Sequence, residues 1–327
     1  MTKAQIDLLM QKIQENISKN HKVVDFLIDT LDIGRESVYR RIRGEIPFTF
    51  DEVSALSLRL GFSVDEIIGK GSDNRIIISL RGNRDSDHEE SFLEMMREYY
   101  RYIEILSSTE NIEVMAAVNR LSLFLIVGYD YLFKVYYYNW IHQTYSTSVN
   151  TTFQETVIPA EIEELRQKFL EARSHIRNVS FIFDREIFLN AVRKVQYSYS
   201  RKLISNEDME AIKGEFIDFL GNLKDMMQSG VNKLGITRNI YLSLLHVETN
   251  TNCACYDENS IASLYWLYPT KPIVVVNQEI CSMQKRWLDS FKKYSILITQ
   301  SNELLQENFL DKQKTYIDSI KNELFYY

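Results

Sequence analysis

Apolar residues recur at three- and four-residue spacing over most of the chain, the period of helices that bury one face. Near the start, Ile6, Leu9, Met10, Ile13 and Ile17 form one such stripe. Beyond it, Leu27, Ile28, Leu31, Ile33, Val38 and Ile42 predict three parts in succession. These are a short helix from about Val23 to Leu31, a four-residue turn Leu31-Asp32-Ile33-Gly34, and a second helix over residues 35–43 that stops at Gly44. Val38 and Ile42 lie four apart and share the inward face. Arg35, Glu36, Ser37, Tyr39 and Arg40 therefore project outward, with Arg43 at the helix end. Thr49-Phe50-Asp51-Glu52 and Ser63-Val64-Asp65-Glu66 both have capping-box spacing, so each opens a further short helix, with Gly61 between them. Residues 1–70 thus read as an all-α domain of five helices.

The pattern changes after residue 70. Residues 71–90 read as a linker, with Gly71, Gly82 and the acidic cluster Asp85-Ser86-Asp87-His88-Glu89-Glu90. Within it, Arg75-Ile76-Ile77-Ile78-Ser79-Leu80 suggests a short extended segment. From residue 91 longer helices mix with β-rich runs. Helices are expected over 92–105, 122–142, 159–173, 185–203, 206–228, 278–292 and 302–324. Strands are expected over 112–118, 179–183, 238–247, 252–257, 261–267, 273–276 and 294–299. Thr249-Asn250-Thr251-Asn252 is a turn signal that predicts an antiparallel hairpin between 238–247 and 252–257. The expected class for residues 91–327 is a larger α+β domain with an antiparallel sheet.

The residues Leu27-Ile28, Leu31-Asp32-Ile33-Gly34, Val38-Tyr39, Arg43-Gly44 and Pro47, followed by Ala55 to Ile68, resemble the phage-repressor-type (Xre-like) helix-turn-helix family over about residues 5–68. The resemblance implies DNA binding, with the second helix laid in the major groove and Arg35, Glu36, Ser37, Tyr39, Arg40 and Arg43 facing the duplex. The family often has a small residue where Ile28 stands and Gly where Asp32 stands; Asp tolerates the left-handed backbone such a turn needs. The remainder resembles the C-terminal domain of uncharacterised bacterial helix-turn-helix regulators. Ile112-Glu113-Val114-Met115-Ala116-Ala117-Val118-Asn119, Tyr138-Asn139-Trp140 and Ile296-Leu297-Ile298-Thr299-Gln300-Ser301-Asn302-Glu303 carry that likeness, which assigns no site.

Charge limits how DNA could be held. The chain carries a formal charge of -7 at 45% hydrophobic content. Residues 1–70 hold ten Lys/Arg against eleven Asp/Glu, so the head is near -1 and the rest near -6. The overall field does not steer the chain to DNA; affinity must come from the arginine-bearing face, with a modest salt dependence. Dimerisation would double that face, and a homodimer joined mainly by the C-terminal domain is expected, with Leu305, Phe309, Tyr316 and Ile320 of the last helix as one stripe for it. Three cysteines, Cys253, Cys255 and Cys281, are too few for a disulfide framework. The most apolar run, 121–133, is too short to span a bilayer and is interrupted by Asp130. A cytoplasmic protein with no membrane partner is expected.

Two further clusters bear on function. Tyr129, Phe133, Tyr136, Tyr137 and Trp140 fall on one helical side, either as core packing or as the wall of a pocket for an unknown small-molecule effector. His246 with Glu248, and Cys253 with Cys255, alternate on the two arms of the expected hairpin and would offer metal ligands if their faces coincided. That spacing matches no established zinc signature, so no metal and no cofactor is assigned. Phosphate-loop, nucleophile-elbow and His-Glu-x-x-His patterns are absent, and no enzyme is predicted. The expected function is a dimeric, sequence-specific transcriptional regulator of double-stranded operator DNA. The alternatives are a protein-interaction module such as an antitoxin, or a ligand-binding domain with a vestigial DNA-binding head.

Overall fold

The computed structural model describes residues 1–17, 22–60, 62, 64, 67, 88–144, 150–248, 251–255, 261–266 and 272–322. Backbone contacts divide the chain into two compact units, residues 1–81 and 82–327.

The first unit is helical. α1 (Lys3–Asn16) starts at Thr2, whose hydroxyl accepts from the Gln5 N–H while the Gln5 side chain accepts from the Thr2 N–H. α2 (Val23–Leu31), α3 (Arg35–Ile42) and α4 (Phe50–Leu60) follow. Leu9, Ile13, Leu27, Val38 and Leu56 form the buried centre, and Ile28, Leu31, Ile33 and Ile42 pack half-buried around it. The α2–α3 turn is closed by Asp32 at φ 51, ψ 48, a left-handed position that Asp adopts more readily than most side chains. Gly34 then extends into the N-cap of α3. Gly44, at φ 79, turns the chain away where a Cβ would stand 3.5 Å from Ile6 Cδ1. The capping box at Thr49 and Glu52 forms as its spacing requires. The expected fifth helix and its Ser63 box lie mainly outside the described residues, as do residues 71–87; Phe62 and Ile67 are buried on the same core.

The second unit opens with α5 (His88–Ser108), which carries Glu89 and Glu90 in its first turn, where the helix dipole favours negative charge. Then come β1 (Glu113–Val118), α6 (Leu123–Ile126), α7 (Asp130–Thr144), α8 (Ala160–His175) and β2 (Val179–Phe183). α9 (Leu189–Ser200), α10 (Asn206–Ser229), β3 (Arg238–Ser243), β4 (Thr251–Cys255), β5 (Ile261–Trp266) and β6 (Pro272–Val275) follow. The described chain closes with α11 (Gln278–Lys292), β7 (Ser295–Leu297), α12 (Glu303–Asp318) and a 3-10 turn (Ser319–Lys321).

The seven strands make one sheet in the order β6-β5-β4-β1-β2-β3-β7. It is mixed, which corrects the antiparallel expectation. β1, β2 and β3 run parallel, because each joins the next through helices long enough to return the chain to the same end. β4, β5 and β6 form an antiparallel meander on β1, and β7 closes the other edge against β3. The hairpin expected between β3 and β4 does not form. Both edges of β3 are taken by β2 and β7, so β4 pairs with the free edge of β1.

Alternation sorts the strand residues between two faces. Val114, Val118, Val179, Phe181, Phe183, Ile240 and Leu264 join the main core with the helical layer of α5 to α10 and α12. Met115, Ala117, Ile182 and Cys253 face α11 through Leu288. β2 is buried along its whole length, as a central parallel strand covered on both faces should be. The long aromatic helix expected over 122–142 is broken in two. Carbonyls left open at the break are taken up by arginines of α8: Arg166 Nε donates to O of the α6 C-cap Val127 at 2.7 Å, and Arg173 Nη1 donates to Phe124 O and Leu125 O of α6. Gly128 lies at the break, where an added Cβ would stand 3.2 Å from Leu170 Cδ1.

Candidate functional site

The outward side of α3 is built as its periodicity requires. Val38 is 1% exposed and anchors the helix, while Arg35, Glu36, Tyr39, Arg40 and Arg43 are exposed and Ser37 is half-buried. Arg41, the fourth arginine of this segment, turns inward. Its Nε and Nη2 grip Glu52 of α4 at 3.0 and 2.7 Å in a two-pronged pair with little exposure on either side. The outward arginines also have carboxylate neighbours, which the sequence pattern did not reveal. Arg35 meets Asp25 at 2.6 Å, Arg40 meets Glu45 at 3.5 Å, and Arg43 meets Glu45 at 2.7 Å and Glu36 at 3.4 Å. The Arg43 hydrogen bond raises Arg43 and lowers Glu45 from their ordinary values. Three cations and three anions thus share this face. Exposed pairs of this kind contribute about 0–1 kcal/mol each, so a phosphate or a guanine edge can displace the carboxylates.

The aromatic residues of α7 belong mainly to the core. Phe133, Tyr137 and Trp140 surround Phe92 of α5 edge-on, with ring centroids 6.2, 4.8 and 5.3 Å away. Tyr136 meets the same ring at 6.3 Å. Tyr136 and Trp140 also edge a cavity of about 60 Å³, space for a few waters rather than an organic ligand. Tyr129, just ahead of α7, is placed differently. Its hydroxyl accepts from Asn222 Nδ2 at 2.7 Å, its ring packs on Phe219, and it lines a cavity of about 1130 Å³.

His246, Glu248 and Cys253 are not brought together as a ligand cluster, and the Cys255 side chain lies outside the described residues. His246 and Glu248 lie in the irregular stretch after β3, both exposed. Cys253 is buried beneath α11, beside Cys281. Among the described residues no group of three or more His, Cys, Asp or Glu side chains could hold a metal ion.

His246 takes part in a different arrangement, at the carboxyl ends of the parallel strands. Asn119 follows β1 and Asp184 follows β2, and both line a cleft of about 590 Å³. Asp184 is 3% exposed and accepts from the Val247 and Glu186 N–H groups at 2.8 Å each. Its Oδ2 lies 2.9 Å from His246 Nδ1, a bond that raises the imidazole above its ordinary value. Arg193, Lys194 and Arg201 supply a basic wall to the same cleft, and burial lowers Lys194. Open α/β sheets place clefts at this end of their strands, so Val118-Asn119 and Phe183-Asp184 were the available signal once β1 and β2 are read as parallel. Among the described residues no helix is long and apolar enough to cross a membrane. Comparison of the chain with protein-family models, curated proteins and solved structures gave no match.

Proposed function

We propose that this chain is a sequence-specific DNA-binding transcriptional regulator that acts as a homodimer, with α3 as its recognition helix. The observation that carries the reading is the division of α3 into an anchored side at Val38 and an exposed polar side at Arg35, Glu36, Tyr39, Arg40 and Arg43. A short α2, a turn closed by left-handed Asp32 and an extended Gly34 supply the connection that a helix-turn-helix needs. One recognition helix reads few bases, so two copies on paired half-sites are the natural arrangement. The second unit supplies dimerisation and holds a small-molecule effector. Of the stripe expected on the last helix, Phe309 on α12 and Ile320 in the 3-10 turn are buried within their own unit, and Leu305 and Tyr316 pack half-buried beside them.

Selection from a pool of random duplexes by the full-length protein tests this reading. Enrichment of a shared motif, repeated at a spacing of about one helical turn or a multiple of it, is the expected result. Retention of duplexes with no common sequence, or of none, would remove the regulator assignment.

A further inference from the structure

The cavity of about 1130 Å³ lies between α8, α10 and the sheet. Its walls are largely apolar, with Phe124, Leu170, Phe181, Phe183, Phe219 and Met226 among them. Two guanidinium groups also line it. Arg238, on β3, is 4% exposed. Arg173, on α8, is half-buried and close enough for its charge to act on Arg238. Neither is ion-paired to a carboxylate among the described residues; their hydrogen bonds go to carbonyl oxygens alone. Arg173 Nη1 donates to Phe124 O and Leu125 O, while Arg238 Nη1 and Nη2 donate to Thr237 O and Ser174 O at 2.9 and 3.5 Å. Glu164, Glu171 and Asp225 line the same cavity from exposed positions on the helices.

A buried cation without a counter-charge is costly, and a second cation beside it adds to that cost. Burial pulls Arg173 and Arg238 down to about 10, and Arg173 lowers Arg238 as well. Even so, both stay charged at neutral pH. The chain treats Arg166, as buried as Arg238, differently. Arg166, also 4% exposed and on the same helix as Arg173, has Asp130 at 2.6 Å and Glu163 at 3.0 Å. Arg166 is thus neutralised by two carboxylates, whereas Arg173 and Arg238 hydrogen-bond to carbonyl oxygens and reach none of the carboxylates that line the cavity. Tyr129 adds a phenol whose oxygen already accepts from Asn222, which leaves its proton for another acceptor.

We infer that this cavity binds an amphiphilic monocarboxylate, with its head between Arg173 and Arg238 and its apolar body along Phe181, Phe183 and Phe219. A carboxylate matches the planar donor fork of arginine, and the aromatic wall holds an apolar body out of water. The inference deepens the effector half of the proposed function. Its test reads ligand binding and no DNA, so the two fail separately.

The experiment is calorimetric titration of the full-length protein with decanoate, 1-decanol, decyl phosphate and decyltrimethylammonium, each below its aggregation concentration. Decanoate is expected to saturate a single site per chain, at least about tenfold more tightly than 1-decanol, with no saturable binding of the cation. Arg238→Met should weaken decanoate by about tenfold or more and leave 1-decanol unchanged. The head-group comparison on the unaltered protein needs no variant to fold. Equal affinity for decanoate and 1-decanol, no saturable decanoate binding, or binding of decyl phosphate in place of decanoate would overturn the assignment.

Discussion

Asp184 shows how much one side chain can organise. It sits directly after β2, buried, and ties together the start of the Glu186 turn, the Val247 backbone and the His246 ring. His246 is exposed, so its worth lies in its charge state rather than its packing. The hydrogen bond and charge of Asp184 raise its pKa, Glu186 adds to that, and slight desolvation and Lys312 oppose it. A raised histidine stabilises the fold fully below its unfolded value, near 6.5, and that contribution is lost as pH rises through the higher folded value. The melting temperature of His246→Gln should therefore fall furthest below that of the parent at mildly acidic pH, with the gap narrowing toward pH of about 8. A gap that stays constant or widens with pH would show that the imidazole charge plays no part.

At the level of elements, what could be read from the sequence was what is local. The α2 bounds, the Gly44 stop and the Thr49–Glu52 box depend on neighbours within a turn or two, and each stands where its residues put it. Strand positions were legible for the same reason, since runs rich in β-branched and aromatic residues such as Val179 to Phe183 announce themselves. Strand partners were not, because pairing depends on which edge is free. Thr249-Asn250-Thr251-Asn252 signals a turn, yet β4 passes β3 and β2 to reach β1. The arginine cavity was hidden likewise: Arg173 and Arg238 belong to different elements and share no motif. Glu52 shows two local devices combined in one side chain. Burial works to raise it, but the Arg41 pair and the Thr49 N–H outweigh that and hold it below the ordinary glutamate value. Glu52→Ala removes the acceptor of the Thr49 N–H and leaves half-buried Arg41 with Ser37 O but no carboxylate, and should destabilise α4 by about 2 kcal/mol as read by amide exchange. Glu52→Gln keeps an acceptor for Thr49 and should lose clearly less. Equal losses would mean that the side-chain acceptor of the Thr49 N–H contributes nothing.

Across the whole molecule the formal charge of -7 works against DNA, so the binding proposed above would have to be won on one small face. On that face Arg35, Arg40 and Arg43 are held by Asp25, Glu36 and Glu45, weak exposed pairs that a duplex would have to replace under the proposed function. Under that proposal, affinity would depend on a few well-placed contacts rather than on bulk charge. Leu58, on α4, is 85% exposed and has no part in the recognition face, so it serves as the control. The most direct measurement is a titration at fixed salt of the selected duplex with the parent, Arg40→Ala and Leu58→Ala. Arg40→Ala should bind about tenfold or more weakly, and Leu58→Ala should match the parent. Equal affinity for all three, at a duplex the parent does bind, would contradict α3 as the reading element.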